Sequence, residues 1–242
     1  MTGGSGDIGR SIALALANAE VDVAISFVGH RDGAESCVAA IKGSGRRGDM
    51  FQLDQRDASA AQRVANDVAE RFGPIEILVN NAAWNVGIPF PDLDSLDADT
   101  WDRVLETNLR GPYLLTRAFA DQLKRYGNGR VVNIASTAGL APGGSSIAYA
   151  SSKAGLIHLT HCLAVALAPR VTVNCVAPGL VEGTRMAARL PEETAKFARS
   201  QAVLGQVGSA TDIANQVVTF CRTDTVTGQI MVVDGGMPGA MR

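Results

Sequence analysis

Six short aliphatic runs alternate with longer stretches in which apolar residues recur every three or four positions, and this alternation limits the possible folds more than any other feature. The runs cover residues 21–27, 49–53, 75–80, 130–135, 171–176 and 229–233, and the helical stretches cover 8–19, 33–42, 58–72, 100–126, 146–167 and 211–221. Continuous aliphatic strands are typical of parallel sheets that helices cover on both faces. The sequence therefore predicts an α/β fold with right-handed crossovers.

Length and composition fit one domain of this kind. The chain has 242 residues, of which 46% are hydrophobic and 19% charged, and no linker or repeat divides it, so residues 1–242 are predicted to form a single domain. The net charge of −2 without a run of like charge disfavours nucleic acid as a partner. No uninterrupted apolar stretch reaches 18 residues, so we expect no membrane partner. The four cysteines lie far apart without a C-x-x-C pair, which is typical of reduced thiols in a cytoplasmic protein.

The first residues read TGGSGDIG over positions 2–9 and lead directly into a predicted helix. Glycine lets the backbone approach an anion closely, and the free N–H groups and dipole of a helix N-terminus favour a phosphate. Gly4, Gly6 and Gly9 have the spacing of the dinucleotide fingerprint, which also needs a strand before it. Only Met1 precedes the turn, so the pattern predicts phosphate binding and leaves an ordinary loop as the alternative.

Tyr149 and Lys153 are four residues apart and therefore share one face of the predicted helix 146–167. A phenol has a pKa of about 10 and is a poor base at neutral pH, but a nearby ammonium lowers that pKa. The pair is therefore suited to moving a proton to or from an alcohol oxygen, although a solvated helix face produces the same spacing. Ser136 follows the predicted strand 130–135, where α/β folds form active sites, and its hydroxyl could bond a substrate carbonyl.

Several motifs together resemble those of the short-chain dehydrogenase/reductase family. The turn at residues 2–9 is similar to the TGxxxGxG cofactor turn of that family, with Asp7 in place of the middle glycine. NNAA at 80–83, N-x-x-x-PG at 174–179 and VDGG at 233–236 resemble three further family motifs. The catalytic tetrad of the family is matched in order and spacing by Asn108, Ser136, Tyr149 and Lys153.

The resemblance implies a Rossmann-like doubly wound sheet with the strand order 3-2-1-4-5-6-7. It also implies an NAD(P)-dependent oxidoreductase that transfers hydride between nicotinamide and an alcohol or carbonyl substrate, similar to the 3-oxoacyl-carrier-protein reductases. Tyr149 would be the general acid/base and Ser136 would position the carbonyl. Lys153 would lower the pKa of Tyr149 and hold the nicotinamide ribose, and Asn108 would support a water that links Lys153 to solvent. The alternatives are a sugar or polyol dehydrogenase and a catalytically silent dinucleotide-binding regulatory protein.

The choice between NAD and NADP depends on the end of the second strand, where a carboxylate would bind the ribose 2′-hydroxyl. No carboxylate stands there, because the position aligns with Phe27, and His30 or Arg31 could pair with a 2′-phosphate, so NADP is predicted over NAD. Asp7 would repel the cofactor pyrophosphate unless it caps the helix or turns outward. The predicted cofactor contacts are Gly3, Ser5, Asp7, Ile8, Gly9, Phe27, Arg31, Asp54, Asn81, Ala82, Tyr149, Lys153, Pro178, Gly179, Val181 and Thr184.

Residues 180–200 interrupt the alternation after a strand's carboxyl end, and we predict that they form a lid over the substrate, with a pair of surface helices as the alternative. The predicted helices 100–126 and 146–167 carry more than one apolar face. The resemblance implies a homodimer or homotetramer built on them, and full burial within one chain is the alternative. No metal is predicted, because His158, His161 and Cys162 have no further ligand cluster near them in sequence.

The expected fold and the start of the sequence disagree in one respect. The family's cofactor turn follows a first strand of about six residues, roughly 20 Å long, whereas Thr2 already belongs to the turn. Without that strand, its two neighbours would stand about 9.5 Å apart and could not pair. We therefore expect further apolar residues before Met1 in the functional protein, with Met1 as the tail of the strand.

Overall fold

The computed structural model describes residues 1–240, except for the side chain at position 189, and it has an α/β architecture. Every strand pairing is parallel, as the aliphatic runs predict. The strands are β1 (Val23–Phe27), β2 (Gly48–Gln52), β3 (Ile77–Asn80), β4 (Gly129–Ile134), β5 (Val171–Pro178) and β6 (Ile230–Val233). They form a two-stranded sheet, β1-β2, and a four-stranded sheet, β3-β4-β5-β6. This is the predicted order without its first strand, so the predicted fold class is confirmed.

Eight α-helices occur in the described residues. They are α1 (Asp7–Asn18), α2 (Arg31–Gly43), α3 (Ala58–Phe72), α4 (Ala98–Leu105), α5 (Gly111–Lys124), α6 (Ile147–Leu167), α7 (Glu192–Gln201) and α8 (Ala210–Arg222). None of the helices in this part of the chain has the length and apolar character needed to cross a bilayer.

The predicted helix 100–126 is in fact two helices joined by a π-helical turn, Glu106–Arg110. Here the N–H of Gly111 bonds the carbonyl of Glu106, five residues back. Pro112 has no N–H with which to continue this ladder. The carbonyl of Thr107 instead accepts the side-chain amide of Gln55 at 2.7 Å. The turn therefore depends on Pro112 and on the distant Gln55, neither of which a purely periodic pattern reveals.

Helices cover both faces of the strands and form two hydrophobic clusters. One cluster packs α1, α2 and α8 against one side of the strands, with Ile12, Ile41 and Ile213 fully buried. The other packs α3, α5 and α6 against the opposite side, with Leu115 and Leu123 at its centre. This double covering explains why the strands are aliphatic throughout rather than alternating.

Residues 1–4 lie between β1 and β3 and connect the two sheets only at their carboxyl ends. The amino group of Met1 donates to the carbonyl of Ala24 at 2.7 Å, and the N–H of Ser26 donates to the carbonyl of Met1 at 2.9 Å. On the other side, the N–H of Thr2 donates to the carbonyl of Val79 at 2.9 Å. Beyond Met1 the strands enclose a cleft of about 360 Å³ with walls that include Phe51, Leu78 and Phe119. As expected, β1 and β3 do not pair.

Residues 180–200 leave the end of β5 and include most of α7, a surface helix of the kind that stood as the alternative to a lid. A parallel bridge between Val181 and Gly208 holds the base of the segment. Several apolar side chains of the segment and its exit are exposed, namely Met186, Phe197, Val203 and Leu204. The segment is called the lid below.

Candidate active site

The four predicted catalytic side chains are supplied by α6, by the end of β4 and by the π-helical turn. Ser136 follows β4 and caps a short 3₁₀ turn, where its Oγ accepts the N–H of Ala138 at 3.2 Å. Ser146 caps α6 by accepting the N–H of Tyr149 at 3.2 Å, which fixes where that helix begins. Tyr149 and Lys153 then follow on consecutive turns of α6.

Tyr149 and Ser136 are joined by a side-chain hydrogen bond. Burial raises the pKa of Tyr149 above its usual value, and the bond to Ser136 acts in the opposite direction. Burial therefore dominates, and the phenol is protonated at neutral pH in this state. A protonated phenol beside a serine hydroxyl is an arrangement that can give a proton and a hydrogen bond to the same oxygen atom.

Lys153 is buried and directs its ammonium to the carbonyl of Ile134, with an Nζ–O distance of 2.8 Å. Burial lowers the pKa of Lys153 to about 8. Its Nζ lies 5.6 Å from the centre of the Tyr149 ring. In this structure burial raises the pKa of Tyr149, and the Lys153 ammonium bonds the carbonyl of Ile134 rather than the phenol oxygen.

Asn108 lies in the π-helical turn and is almost completely buried. Its Oδ1 accepts the N–H of Trp84 at 2.8 Å, and its Nδ2 donates to the carbonyl of Trp84 at 2.9 Å and to Oγ of Ser152 at 3.1 Å. Ser152 in turn donates to the carbonyl of Tyr149 at 2.7 Å. The side chain of Asn108 thus fixes the segment after β3 against α6 and has no direct bond to Lys153.

The glycine-rich turn at residues 2–9 is held by the ends of β1 and β3. Oγ1 of Thr2 accepts the N–H groups of Asn81 and Ala82, each at 3.0 Å. The amide of Asn81 donates back to the carbonyls of Thr2 at 3.0 Å and Gly3 at 3.2 Å. The predicted contacts Gly3, Asn81 and Ala82 are therefore brought together at one place.

The turn fits a dinucleotide phosphate by its shape. Gly3 has a φ of +66°, a backbone conformation that residues with a side chain rarely adopt. A Cβ on Gly9 would collide with the carbonyl oxygen of Gly3 and would come within 2.8 Å of Nδ2 of Asn81. Helix α1 starts immediately after Gly6, and no side chain caps its first turn. Ser5 and Ile8 lie on either side of that start, where the N–H groups of a helix N-terminus are available to an anion.

The predicted residues on the adenosine side are held in other contacts. The side chain of Phe27 is buried in the core. Arg31 forms an exposed ion pair with Glu35 at 3.0 Å. Asp54 forms a bidentate pair with Arg56, whose Nη2 donates to Oδ2 at 2.7 Å and whose Nε donates to Oδ1 at 3.1 Å, and this guanidinium lowers the pKa of Asp54.

On the nicotinamide side, Pro178 and Gly179 end β5 beside β6. The N–H of Gly179 donates to the carbonyl of Val233 at 3.0 Å, and a Cβ on Gly179 would come within 2.7 Å of Asp234 Cβ. Val181 is buried in the bridge to Gly208. The hydroxyl of Thr184 donates to the carbonyl of Val181 at 2.9 Å and accepts the N–H of Ala187 at 3.1 Å.

Two residues at the site were missed from the sequence. Gln55 is buried and bonds the carbonyls of Ala82 at 3.1 Å and Thr107 at 2.7 Å, tying β3 to the π-helical turn. Arg185 of the lid forms an ion pair with Asp7 at 3.3 Å. The presence of a carboxylate at a glycine position was the available signal, because such a charge needs a partner.

The histidine pair on α6 belongs to a different surface. The rings of His158 and His161 stand edge to face with centroids 6.0 Å apart. Within the described residues, no three histidine, cysteine, aspartate or glutamate side chains are grouped in a way that could hold a metal ion.

The chain matches known proteins over nearly its full length. The sequence model described as "short chain dehydrogenase" matches residues 1–195. The 3-oxoacyl-[acyl-carrier-protein] reductase FabG of Staphylococcus aureus is 36% identical over 242 residues, covering 98% of this chain and 96% of the relative. A variant of actinorhodin polyketide ketoreductase with NADPH aligns with a TM-score of 0.89 and 30% identity, covering 98% and 95% of the two chains. NAD⁺-bound xylitol dehydrogenase aligns with a TM-score of 0.91 and 26% identity, covering 97% and 96%.

Proposed function

The chain belongs to the short-chain dehydrogenase family, and on this premise we propose that it is an NADP(H)-dependent reductase of carbonyl compounds of the 3-oxoacyl type. The observation that carries the proposal is the hydrogen-bonded pair of Tyr149 and Ser136 one helical turn from the buried Lys153. A polyol dehydrogenase is the second candidate, which the alignment with xylitol dehydrogenase favours.

In the proposed reaction Tyr149 gives its proton to the substrate oxygen. The raised pKa of Tyr149 keeps that proton on the phenol at neutral pH, so the residue is ready to act as an acid. The hydroxyl of Ser136 donates a hydrogen bond to the same oxygen as negative charge develops there. When bound, the nicotinamide supplies the hydride that reaches the carbonyl carbon. In the opposite direction Tyr149 accepts the proton of an alcohol.

Lys153 and Asn108 support this proton transfer in different ways. The cationic form of Lys153 favours the tyrosinate that remains after proton transfer, and its pKa of about 8 leaves the amine able to change charge near physiological pH. Lys153 would also hold the nicotinamide ribose. Asn108 acts as a positioning residue through Trp84 and Ser152. The water that it was expected to support would have to use its backbone, since its side-chain groups bond Trp84 and Ser152.

NADP is proposed over NAD because the end of β1 carries no carboxylate. Phe27 is buried, Val28 is exposed, and His30 lies with Nδ1 3.2 Å from the carbonyl of Ser5. A 2′-phosphate placed there would meet His30 and Arg31, the latter exchanging Glu35 for the phosphate. The remaining contacts would come from Gly3, Gly9, Asn81, Ala82 and Gly179. Asp54, while paired with Arg56, would offer adenine its remaining acceptor sites.

We further propose a homodimer or homotetramer formed through α5 and α6. An open surface cavity of about 640 Å³ is lined by apolar groups of these helices and their neighbours, including Leu105, Leu109, Tyr113, Leu159 and Cys162.

A cytoplasmic location is proposed from the four free thiols.

The test of function is Tyr149→Phe, with Tyr126→Phe as the matched control because Tyr126 is exposed at the end of α5. Purified proteins are offered 3-oxoacyl thioesters with NADPH or NADH, and polyols with NADP⁺ or NAD⁺, while absorbance at the nicotinamide band is followed. We expect Tyr149→Phe to reduce kcat by about 10²- to 10⁴-fold without changing the Kd for NADPH, and the control to behave as wild type.

Other outcomes separate the alternatives. Turnover of polyols but not of 3-oxo thioesters would establish the polyol dehydrogenase. Dinucleotide binding without turnover of any compound, and with no difference between wild type and Tyr149→Phe, would identify the regulatory protein without catalysis.

A further inference from the structure

Asp7 is the first residue of α1, and its carboxylate turns away from the helix toward the lid. No side chain caps the helix, so Asp7 is not used in that way. Its Oδ2 instead accepts the backbone N–H of Arg185 at 2.7 Å. The sequence left two orientations open, a cap and an outward turn, and the structure has the outward one.

Arg185 lies across the mouth of the glycine-rich turn. Its Nε is 3.3 Å from Oδ1 and 3.4 Å from Oδ2 of Asp7, and its Nη2 donates to the carbonyl of Ser5 at 3.4 Å. The same guanidinium reaches within 4.0 Å of the position that a Cβ on Gly6 would take. A cation therefore stands directly in front of the α1 N-terminus, where the free N–H groups of the helix also point.

This contact differs from an ordinary surface ion pair. Exposed pairs contribute little because two long side chains must be ordered at once. Here one of the bonds comes from the backbone of Arg185, so the position of the lid itself is fixed by Asp7. Arg185 also keeps more N–H donors than its contacts with Asp7 and Ser5 use, since a guanidinium has five. These donors are available to an anion at the helix terminus.

We propose that Arg185 is a cofactor-binding residue that supplies positive charge to the diphosphate of the dinucleotide, and that Asp7 positions it by tying the lid to the glycine-rich turn. This inference rests on the proposed dinucleotide-dependent function. Asp7 then adds no net negative charge to the phosphate site, because it recruits a cation that balances its own charge. The lid becomes part of the cofactor site as well as of the substrate site.

The binding test uses Arg185→Ala and, as a matched control, Arg199→Ala, because Arg199 is another lid arginine in a partly exposed pair, with Glu182 at 3.1 Å. NADPH binding is measured by calorimetry, together with binding of adenosine 2′-monophosphate, which has no diphosphate. We expect Arg185→Ala to weaken NADPH binding at least tenfold and to leave binding of the monophosphate within twofold. Arg199→Ala should change neither. An Arg185→Ala variant that binds NADPH within twofold of wild type would overturn the proposal.

Asp7→Ala distinguishes positioning from repulsion by the sign of its effect. If Asp7 positions Arg185, the variant binds NADPH more weakly than wild type. If its carboxylate only repels the diphosphate, the variant binds more tightly, and the proposed role of Asp7 is wrong. In the Arg185→Ala background we expect the sign to reverse, since the carboxylate there is an unpaired negative charge.

A second readout does not depend on the cofactor. Phe197 is exposed on α7 and offers chymotrypsin a cleavage site within the lid. We expect faster cleavage there for Asp7→Ala and Arg185→Ala than for wild type or for Arg31→Ala, whose ion pair lies outside the lid. If wild type binds no dinucleotide, the proposed function fails. The cleavage rates still report whether the contact between Asp7 and Arg185 holds the lid in place. Equal rates for all four proteins would contradict it.

Discussion

Lys153 is an unusual lysine because its side chain is buried. Burial lowers its pKa from 10.5 to about 8, and the nearby Cys175 opposes this only weakly. Below pH 8 the amine is charged in both the folded and the unfolded chain, so folding bears the full cost of burying the charge. Between pH 8 and 10.5 the folded chain has released this proton while the unfolded chain still holds it. The free energy of unfolding therefore increases with rising pH.

Comparison with Lys153→Met should isolate this contribution. From pH 8 to pH 10 we expect the stability of wild type relative to the variant to rise by about 2 kcal/mol, measured as the difference in urea unfolding free energy. The pKa values of Tyr149 and of the buried thiols Cys37, Cys175 and Cys221 are raised, so these groups lower stability at alkaline pH. Tyr149, Cys37 and Cys221 occur in both proteins and cancel in the difference, whereas the variant also removes the effect by which Lys153 lowers the pKa of Cys175. A difference that stays constant with pH would show that Lys153 is not desolvated.

At the scale of single elements, the glycine-rich turn depends on close contact between its own backbone and α1. Gly9→Ala should weaken NADPH binding at least tenfold, or by about 1.4 kcal/mol, because the new methyl group would force Gly3 and Asn81 apart. Fluorescence titration measures the loss. Gly43→Ala is the control, since a methyl group at the end of α2 would meet no atom within 4 Å. That variant should bind normally and be more stable by about 0.5 kcal/mol. Normal binding by Gly9→Ala would mean that the turn is not the phosphate site.

The strands and most helices could be predicted because their signal is local. Helix 58–72 was predicted with the observed bounds, since Asp57 caps it and Gly73 ends it. The π-helical turn was missed because it depends on the absent N–H of Pro112 and on Gln55, which is 52 residues from its partner Thr107. Helix α7 could be anticipated only within an alternative, a pair of surface helices, because it buries no residue and so has no apolar face for a pattern to reveal.

The catalytic residues of the candidate site could be predicted from the sequence, whereas the contact between the lid and the glycine-rich turn could not. Tyr149, Lys153 and Ser136 follow from helix spacing and from the end of one strand, both of which are local. Arg185 could not be placed, because it reaches Asp7 across 178 residues of sequence. Thr184, which was predicted as a cofactor contact, has its hydroxyl in a local turn that follows Gly183, a residue with a φ of +74°.

At the scale of the whole molecule, the proposed assembly can be tested at the open cavity on α5 and α6. Tyr113→Glu places a charge in that cavity, whereas Tyr126→Glu places the same charge on an exposed part of the surface outside it. We expect wild type and Tyr126→Glu to sediment as a dimer or tetramer, and Tyr113→Glu to shift toward the monomer, because burying an unpaired carboxylate disfavours association. Wild type that sediments as a monomer would remove the basis for the proposed interface.

Within residues 1–240 the strands divide into two sheets, and this division predicts that the two parts of this chain open separately. The four-stranded sheet is continuous, whereas β1 and β2 are joined to it by a few backbone bonds of Met1, Thr2 and Gly4 and by helix packing. Amides of β1 and β2, such as those of Ile25 and Met50, should therefore exchange with deuterium faster than those of Val132 and Val173 in β4 and β5. Equal protection in both sheets would indicate a single cooperative unit.

This division gives the bound dinucleotide a mechanical role. Its proposed contacts come from both parts of the molecule: the end of β1 on one side, and Asn81, Ala82 and Gly179 on the other. A ligand that spans both parts acts as a non-covalent cross-link. Its binding raises the free energy needed to separate them. NADPH should therefore slow exchange in β1 and β2 more than in β4 and β5. In this chain, the half that is predicted to open first is therefore the half that the coenzyme would hold closed.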